Sequence, residues 1–132
     1  MRDITRHQVD GCNVLLAIQA VDVPPVGDAH RRYDITGFDT ELNPAAIDDT
    51  GFRLCITRLA LIFQAGQPID TANGITNEAV LAVVLDRLMA FQAGPFACDD
   101  NRDALAHVDA ALGCLHRRTR ARQARGVEGI KD

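Results

Sequence analysis

The sequence has 132 residues, a mass of 14.3 kDa, 47% apolar and 24% charged residues, and a net charge of −4. These values predict one ordinary soluble globular domain and argue against wholesale disorder. No apolar run is long enough to span a bilayer, and residues 1–7 lack a signal-peptide core. We therefore expect no membrane partner and a cytoplasmic location.

The positive charge is concentrated near the C-terminus. Residues 117–125 contain five arginines and no acid, so the remainder of the chain carries a net charge of −9. An acidic body with one cationic patch favours a site for a small anion over binding to DNA or RNA. The alternative is that the arginines only complement a helix C-terminus and stay hydrated, an effect of about 0.3–1 kcal/mol each.

The motifs of catalysis and metal binding are missing from the sequence. We find no nucleophile elbow, zincin motif, P-loop or dinucleotide fingerprint. His107 and Asp103 share a helix face without a nucleophile beside them, which favours a surface contact. Four widely spaced cysteines, Cys12, Cys55, Cys98 and Cys114, are expected to be reduced and partly buried. We therefore expect no enzyme, no catalytic residues, no metal and no cofactor.

The N-terminal half reads as strands and turns. Apolar or alternating segments at residues 13–23, 31–38, 52–56 and 59–63 are separated by turn residues and have no helix between them. Such segments predict an antiparallel sheet.

The C-terminal half reads as two helices folded back on each other. The first begins at Thr76 and ends near Gln92, and Gly94-Pro95 forbids its continuation. The second begins near Asp99 with an apolar stripe at helical spacing, and Gly126 ends it. We predict an α+β fold in one compact domain, with a β-rich layer at residues 1–70 packed with an antiparallel helical hairpin at residues 71–132.

Binding chemistry is best supported at the two ends of this hairpin. Arg118 and Arg122 are four residues apart, so both guanidinium groups lie on one helix face and suit phosphate oxygens. Phe91 is a candidate platform for a stacked base, although core packing is the usual role of such a ring. Asn101 is a candidate hydrogen-bonding residue, with a purely helix-capping role as the alternative.

The hairpin resembles a known phage family. The similarity covers residues 74–129, notably 76–81, 86–88, 91–98, Asn101, 118–122 and 125–129, and is weaker over residues 12–69. The chain resembles the Thoeris anti-defence sponges, whose helical hairpin is shared with anti-CBASS cyclic-oligonucleotide sponges. The resemblance implies a protein that binds glycocyclic ADP-ribose isomers (gcADPR) or cyclic di- and trinucleotides without cleaving them. These nucleotides are the second messengers with which bacteria announce infection.

The resemblance also implies which residues bind the messenger. They are Phe91, Asn101, Arg118 and Arg122, with Thr119 and Arg125 as further contributors. The sequence departs from the family pattern at Asp99-Asp100, at Ala121 and at Gly113-Cys114. The two aspartates place acid close to an anion site.

The spacing of these residues predicts a homodimer. Asn101 and Arg118 are 17 residues apart, which is about 25 Å on one continuous helix, too far for one cyclic dinucleotide to touch both. If both bind the same ligand, they come from different chains packed antiparallel about a two-fold axis. Two equivalent pockets at the interface follow, and the resemblance implies further assembly to a hexamer.

Two other functions compete with sequestration. The protein is alternatively an enzyme that degrades the same cyclic nucleotide signals, or a structural or nucleic-acid-binding accessory protein. An altered mass of the messenger after incubation distinguishes the first. Tight, steeply salt-dependent binding to duplex DNA distinguishes the second.

Overall fold

The structure is a computed structural model and describes residues 1–126. The family motif at residues 127–129 lies outside the described residues. Four strands and three helices follow in chain order: β1 (Arg2–Ile4), α1 (Cys12–Leu15), β2 (Ala17–Ala20), β3 (Arg32–Thr36), β4 (Leu59–Ile62), α2 (Asn77–Gln92) and α3 (Asp99–Ala124). The predicted α+β class is confirmed. The chain divides into two compact units, one of residues 1–62 and one that begins at Phe63.

The N-terminal unit is built on one antiparallel sheet. Its strand order is β1-β2-β3-β4, so each strand pairs with its neighbour in sequence. The register aligns Ile4, Ile18, Ile35 and Leu59 in one row across all four strands. Because side chains alternate along a strand, these residues share one apolar face.

The opposite face of the sheet is polar and is organised around Asp34. This carboxylate is buried, accepts hydrogen bonds from Arg32 Nε at 2.9 Å and Nη2 at 3.2 Å, and accepts another from Arg58 Nη1 at 2.7 Å. The hydrogen bonds from Arg32 lower the pKa of Asp34; burial opposes this and Arg58 reinforces it. Arg58 precedes β4, so the cluster attaches that strand to β3.

Two predictions about the strands are wrong, and one strand was not predicted. Residues 13–23 were expected to be extended, but the segment opens with the one-turn helix α1, and only Ala17–Ala20 is a strand. Residues 52–56 form no strand, because Leu54 and Ile56 bond to Ala46 and Thr40 of the preceding loop instead of a ladder. Strand β1 was not anticipated, since Arg2 and Asp3 give it no apolar alternation.

The C-terminal unit contains the helical hairpin, as predicted. Thr76 caps α2 by accepting a hydrogen bond from the Ala79 N–H at 3.1 Å, and Gly126 follows α3 with a φ of 72°. The helices are antiparallel, because the first turn of α2 contacts the end of α3 through Glu78 and Thr119.

The hairpin leaves much of its apolar surface uncovered. None of the residues of α2 is buried, and Val83 and Met89 remain 62% and 55% exposed. Two helices alone have too little surface to enclose each other's apolar stripes. All four cysteines are free and exposed, so the expectation of partial burial is wrong. Within residues 1–126, no helix is both long and apolar enough to cross a membrane.

Candidate functional site: the two ends of the helical hairpin

An aromatic cluster forms where α2 turns into α3. Phe91 and Phe96 pack edge to face, with ring centroids 6.3 Å apart and planes at 79°. Arg87, one turn earlier on α2, lies with its guanidinium carbon 5.5 Å from the centroid of the Phe91 ring. Phe91 is partly exposed and Phe96 is 71% exposed, so the predicted stacking platform is accessible in the described structure.

Asn101 joins this cluster through the turn. Its side-chain Nδ2 donates to the Phe96 carbonyl at 3.2 Å. Its backbone N–H donates to Cys98 Sγ at 3.4 Å, and the Cys98 N–H donates to Gln92 Oε1 at 3.0 Å. The cap of α3 is therefore Cys98. The Asn101 amide instead fixes the turn with its nitrogen and keeps its oxygen as a hydrogen-bond acceptor. We call Arg87, Phe91, Phe96 and Asn101 the corner.

The arginines form the opposite end of the hairpin. Arg118 is exposed, whereas Arg122, one turn later, is only 8% exposed and is the buried residue of α3 among those described. Thr119 lies between them, and its hydroxyl donates to Glu78 Oε2 at 3.0 Å. Arg125 is the exposed C-cap residue. We call Arg118, Thr119, Arg122 and Arg125 the cationic end.

A single chain does not bring the corner and the cationic end together. Helix α3 runs unbroken over 26 residues from Asp99 to Ala124. Asn101 and Arg118 are therefore separated by about 25 Å along its axis. Of the six predicted site residues, Phe91 and Asn101 lie at one end, and the other four lie at the other.

A shallow apolar groove lies on the hairpin between the two helices. It has a volume of about 470 Å³ and is lined by Leu85, Met89, Gln92, Ala93, Leu105 and Asp109. Gln92 links the groove to the corner, since its side chain bonds the Cys98 N–H. Leu105 and Asp109 carry the groove towards the middle of α3.

A comparison with known proteins supports the predicted relationship. No protein-family model matches the chain. The protein Thoeris anti-defense 1 of Bacillus phage SBSphiJ7 is 45% identical over 71 residues, which are 53% of this chain and 50% of the phage protein. The predicted resemblance to the Thoeris anti-defence family is confirmed. The chain spans about half the length of the relative that it matches.

The acids that depart from the Thoeris anti-defence pattern have a local structural role. Asp99 and Asp100 occupy the first turn of α3, where negative charge is favourable. Asp99 also accepts a hydrogen bond from Arg102 Nη1 at 3.2 Å. Asp99 therefore has a cationic partner one turn away on its own helix.

In the described part of the helical unit, residues 63–126, potential metal ligands are not clustered. Among residues 1–126, no group of three or more His, Cys, Asp or Glu residues is placed to hold a metal ion. Asp103 bonds to Arg102 at 3.3 Å, and His107 is exposed. The carboxylates with a lowered pKa lie in the N-terminal unit. They are Asp22, Asp34 and Asp48, whose largest causes are hydrogen bonds from the Arg31 backbone, the Arg32 side chain and the Thr50 side chain.

Sequence reasoning missed several residues that contact the predicted site, among them Glu78, Arg87 and Phe96. Glu78 bonds Thr119, and Arg87 stacks on Phe91. The antiparallel hairpin already implied that the start of α2 meets the end of α3, which points to Glu78. The four-residue step from Arg87 to Phe91 places both on one helix face.

Proposed function

We propose that this chain is a phage anti-defence protein that sequesters nucleotide immune second messengers in the cytoplasm of an infected bacterium. The ligands are glycocyclic ADP-ribose isomers or cyclic di- and trinucleotides. They are bound without cleavage in two equivalent pockets of a homodimer. The name of the matched phage protein supports the anti-defence role.

The single observation that carries the proposal is the length of α3. The helix is continuous, so the corner and the cationic end of one chain lie too far apart to hold one small nucleotide. An antiparallel dimer places the corner of each chain against the cationic end of the other. The two-fold axis then passes α3 midway between Asn101 and Arg118, which is between residues 109 and 110.

The charge along α3 favours this antiparallel pairing. Residues 99–110 contain four aspartates and one arginine, whereas residues 115–124 contain four arginines and no acid. Two such helices side by side in opposite directions place opposite charges together, and a parallel pair places like charges together. A C₂ interface is self-complementary in this way.

The uncovered apolar surface also favours a second copy. The groove reaches Asp109, the level of α3 at which a two-fold axis is expected, and Met89, which lines the groove, is 55% exposed. Burying apolar surface contributes about 25 cal/mol per Å², so covering this groove stabilises a dimer.

The pocket chemistry suits a cyclic nucleotide. Each arginine donates charge-assisted hydrogen bonds to phosphate oxygens, which contribute about 1.5–3 kcal/mol each. A base stacked on Phe91 contributes roughly 1–3 kcal/mol, and Asn101 Oδ1 accepts from a hydroxyl or amino group. A sponge must bind its messenger tightly, with a Kd near nanomolar (about −12 kcal/mol), in order to outcompete an effector.

Mixing two inactive variants tests the shared pocket. Asn101→Ala removes a corner residue and Arg118→Ala removes a cationic-end residue, so each homodimer should fail to bind gcADPR in calorimetry. In a mixed dimer, one pocket combines two intact halves. After random exchange of equal amounts, about half of the dimers are mixed, and each mixed dimer has one intact pocket of its two. About a quarter of all sites should therefore recover wild-type affinity.

The matched control pairs two corner variants, Phe91→Ala and Asn101→Ala, whose mixture should recover no sites. Native mass spectrometry verifies that the subunits have exchanged. If they have and the first mixture still recovers no binding, a pocket shared between chains is contradicted. A monomeric mass for the wild-type protein contradicts it equally.

A release experiment separates sequestration from degradation. The protein is incubated with gcADPR or a cyclic dinucleotide and then heat-denatured, and the small molecule is analysed by mass spectrometry. We expect the messenger to be recovered intact and in stoichiometric amounts. A changed mass establishes an enzyme, and tight, steeply salt-dependent binding to duplex DNA establishes a nucleic-acid-binding protein.

A further inference from the structure

Arg87 is a cation at the corner that the predicted site does not include. Its guanidinium carbon lies 5.5 Å from the centroid of the Phe91 ring, the position of a cation–π contact. The residue is exposed, and no carboxylate within residues 1–126 forms an ion pair with it. Arg102, the other arginine near the turn, is instead paired with Asp99 and Asp103 at 3.2 and 3.3 Å.

We propose that Arg87 is a further ligand-binding residue, which contacts the phosphate of a nucleotide whose base stacks on Phe91. This inference rests on the proposed function. The guanidinium lies over one face of the Phe91 ring, so a base stacks on the other face. One sugar separates that base from its phosphate, and the long, exposed Arg87 side chain turns past the ring edge to meet the phosphate. A guanidinium suits this place because it stays charged, stacks on an aromatic ring and donates two parallel hydrogen bonds to phosphate.

The contact gives the corner a positive charge of its own. Without Arg87, the cations of each proposed pocket come from the cationic end of the partner chain. Next to the corner, Asp99 and Asp100 add negative charge. With Arg87, the phosphates of a cyclic nucleotide meet arginines from both chains. A pocket with cations on two sides selects ligands with two phosphates over ligands with one.

Calorimetry of Arg87→Ala against gcADPR and cyclic di-AMP tests this role, with Arg102→Ala as the matched control. We expect Arg87→Ala to raise the Kd roughly 10- to 100-fold, the loss of one charge-assisted contact, while Arg102→Ala changes it less than about threefold. Thermal unfolding of both variants should match wild type, because both side chains are exposed.

The dependence of Kd on salt separates phosphate binding from simple support of the Phe91 ring. Removing a cation that contacts phosphate makes the Kd less sensitive to NaCl, whereas loosening a ring leaves this sensitivity unchanged. The inference is overturned if Arg87→Ala binds like wild type, or binds weakly with undiminished salt sensitivity. If wild-type protein binds neither probe, the proposed function itself fails, and that result is distinct from an effect of Arg87 alone.

Discussion

The hydroxyl of Thr119 on α3 donates a hydrogen bond to the carboxylate of Glu78 on α2, at 3.0 Å across 41 residues of sequence. Thr119 lies between Arg118 and Arg122, so this bond fixes the rotation of the helix turn that carries both arginines. The family resemblance implies that Thr119 contributes to the ligand site. The structure gives the same residue a contact that positions its neighbours.

We predict that Thr119→Val destabilises the protein by about 1 kcal/mol, the usual contribution of one hydrogen bond, and leaves the Glu78 carboxylate without this donor. Urea unfolding measures the change. Glu78→Gln serves as the control, because its amide oxygen still accepts from Thr119 and should cost less. Equal destabilisation by both variants would contradict a role for the hydrogen bond itself.

Arg118 and Arg122 should respond differently to substitution. Arg118 is exposed, so Arg118→Ala should abolish messenger binding in calorimetry while the unfolding midpoint stays at the wild-type value. Arg122 is 8% exposed, so Arg122→Ala should also remove packing and lower the free energy of unfolding by roughly 1–3 kcal/mol.

Calorimetry and urea unfolding on the same two variants test this difference. Native mass spectrometry should find both variants as dimers. If Arg118→Ala dissociates the dimer, that residue is an interface residue, and the loss of binding no longer reports a ligand contact.

The hairpin was predictable because short-range sequence signals mark the ends of its helices. Thr76, Gly94-Pro95 and Gly126 each act within one turn of the chain, and the structure places helix boundaries beside all three. Strand β1 and helix α1 could not be predicted in this way. The three residues of β1 form a strand only because β2 pairs with them. An apolar run of a few residues has no period that distinguishes a helix from a strand.

In the candidate site, too, some features could be predicted from the sequence and others could not. The separation of Asn101 from Arg118 follows from helical rise alone, so the sequence predicts it. The burial of Arg122 is a tertiary property, and the four-residue step from the exposed Arg118 gives no sign of it. The exposed face of the hairpin likewise follows from packing and not from the apolar stripe.

The Asp34 cluster predicts an acid-sensitive N-terminal unit. The hydrogen bonds from Arg32 hold the pKa of Asp34 below its ordinary value of 3.8. The unfolded chain therefore binds this proton more readily, and the stabilisation is complete above pH 3.8 and is lost as the pH falls through the lower folded pKa. Asp34→Asn should be less stable than wild type at pH 6, and this deficit should shrink in acid.

Urea unfolding midpoints between pH 6 and pH 2 measure this dependence. Asp70→Asn is the control, because Asp70 is exposed and has no hydrogen bond or ion pair within the described residues. A deficit of Asp34→Asn that stays constant across the range would show that the ionised carboxylate is not the source of the stabilisation.

Gly37 should tolerate no side chain, in contrast to Gly51. Both have a positive φ, 91° and 89°, so any L-residue is strained at either position. A Cβ at Gly37 would in addition meet the backbone carbonyl of Leu15, whereas a Cβ at Gly51 would meet nothing within 4 Å.

We expect Gly51→Ala to cost about 1–2 kcal/mol through backbone strain alone. Gly37→Ala should cost at least about 2 kcal/mol more, because the backbone beside α1 must move. Urea unfolding of the two variants measures the difference, and equal costs would mean that the approach of β3 to the end of α1 does not constrain the folded chain.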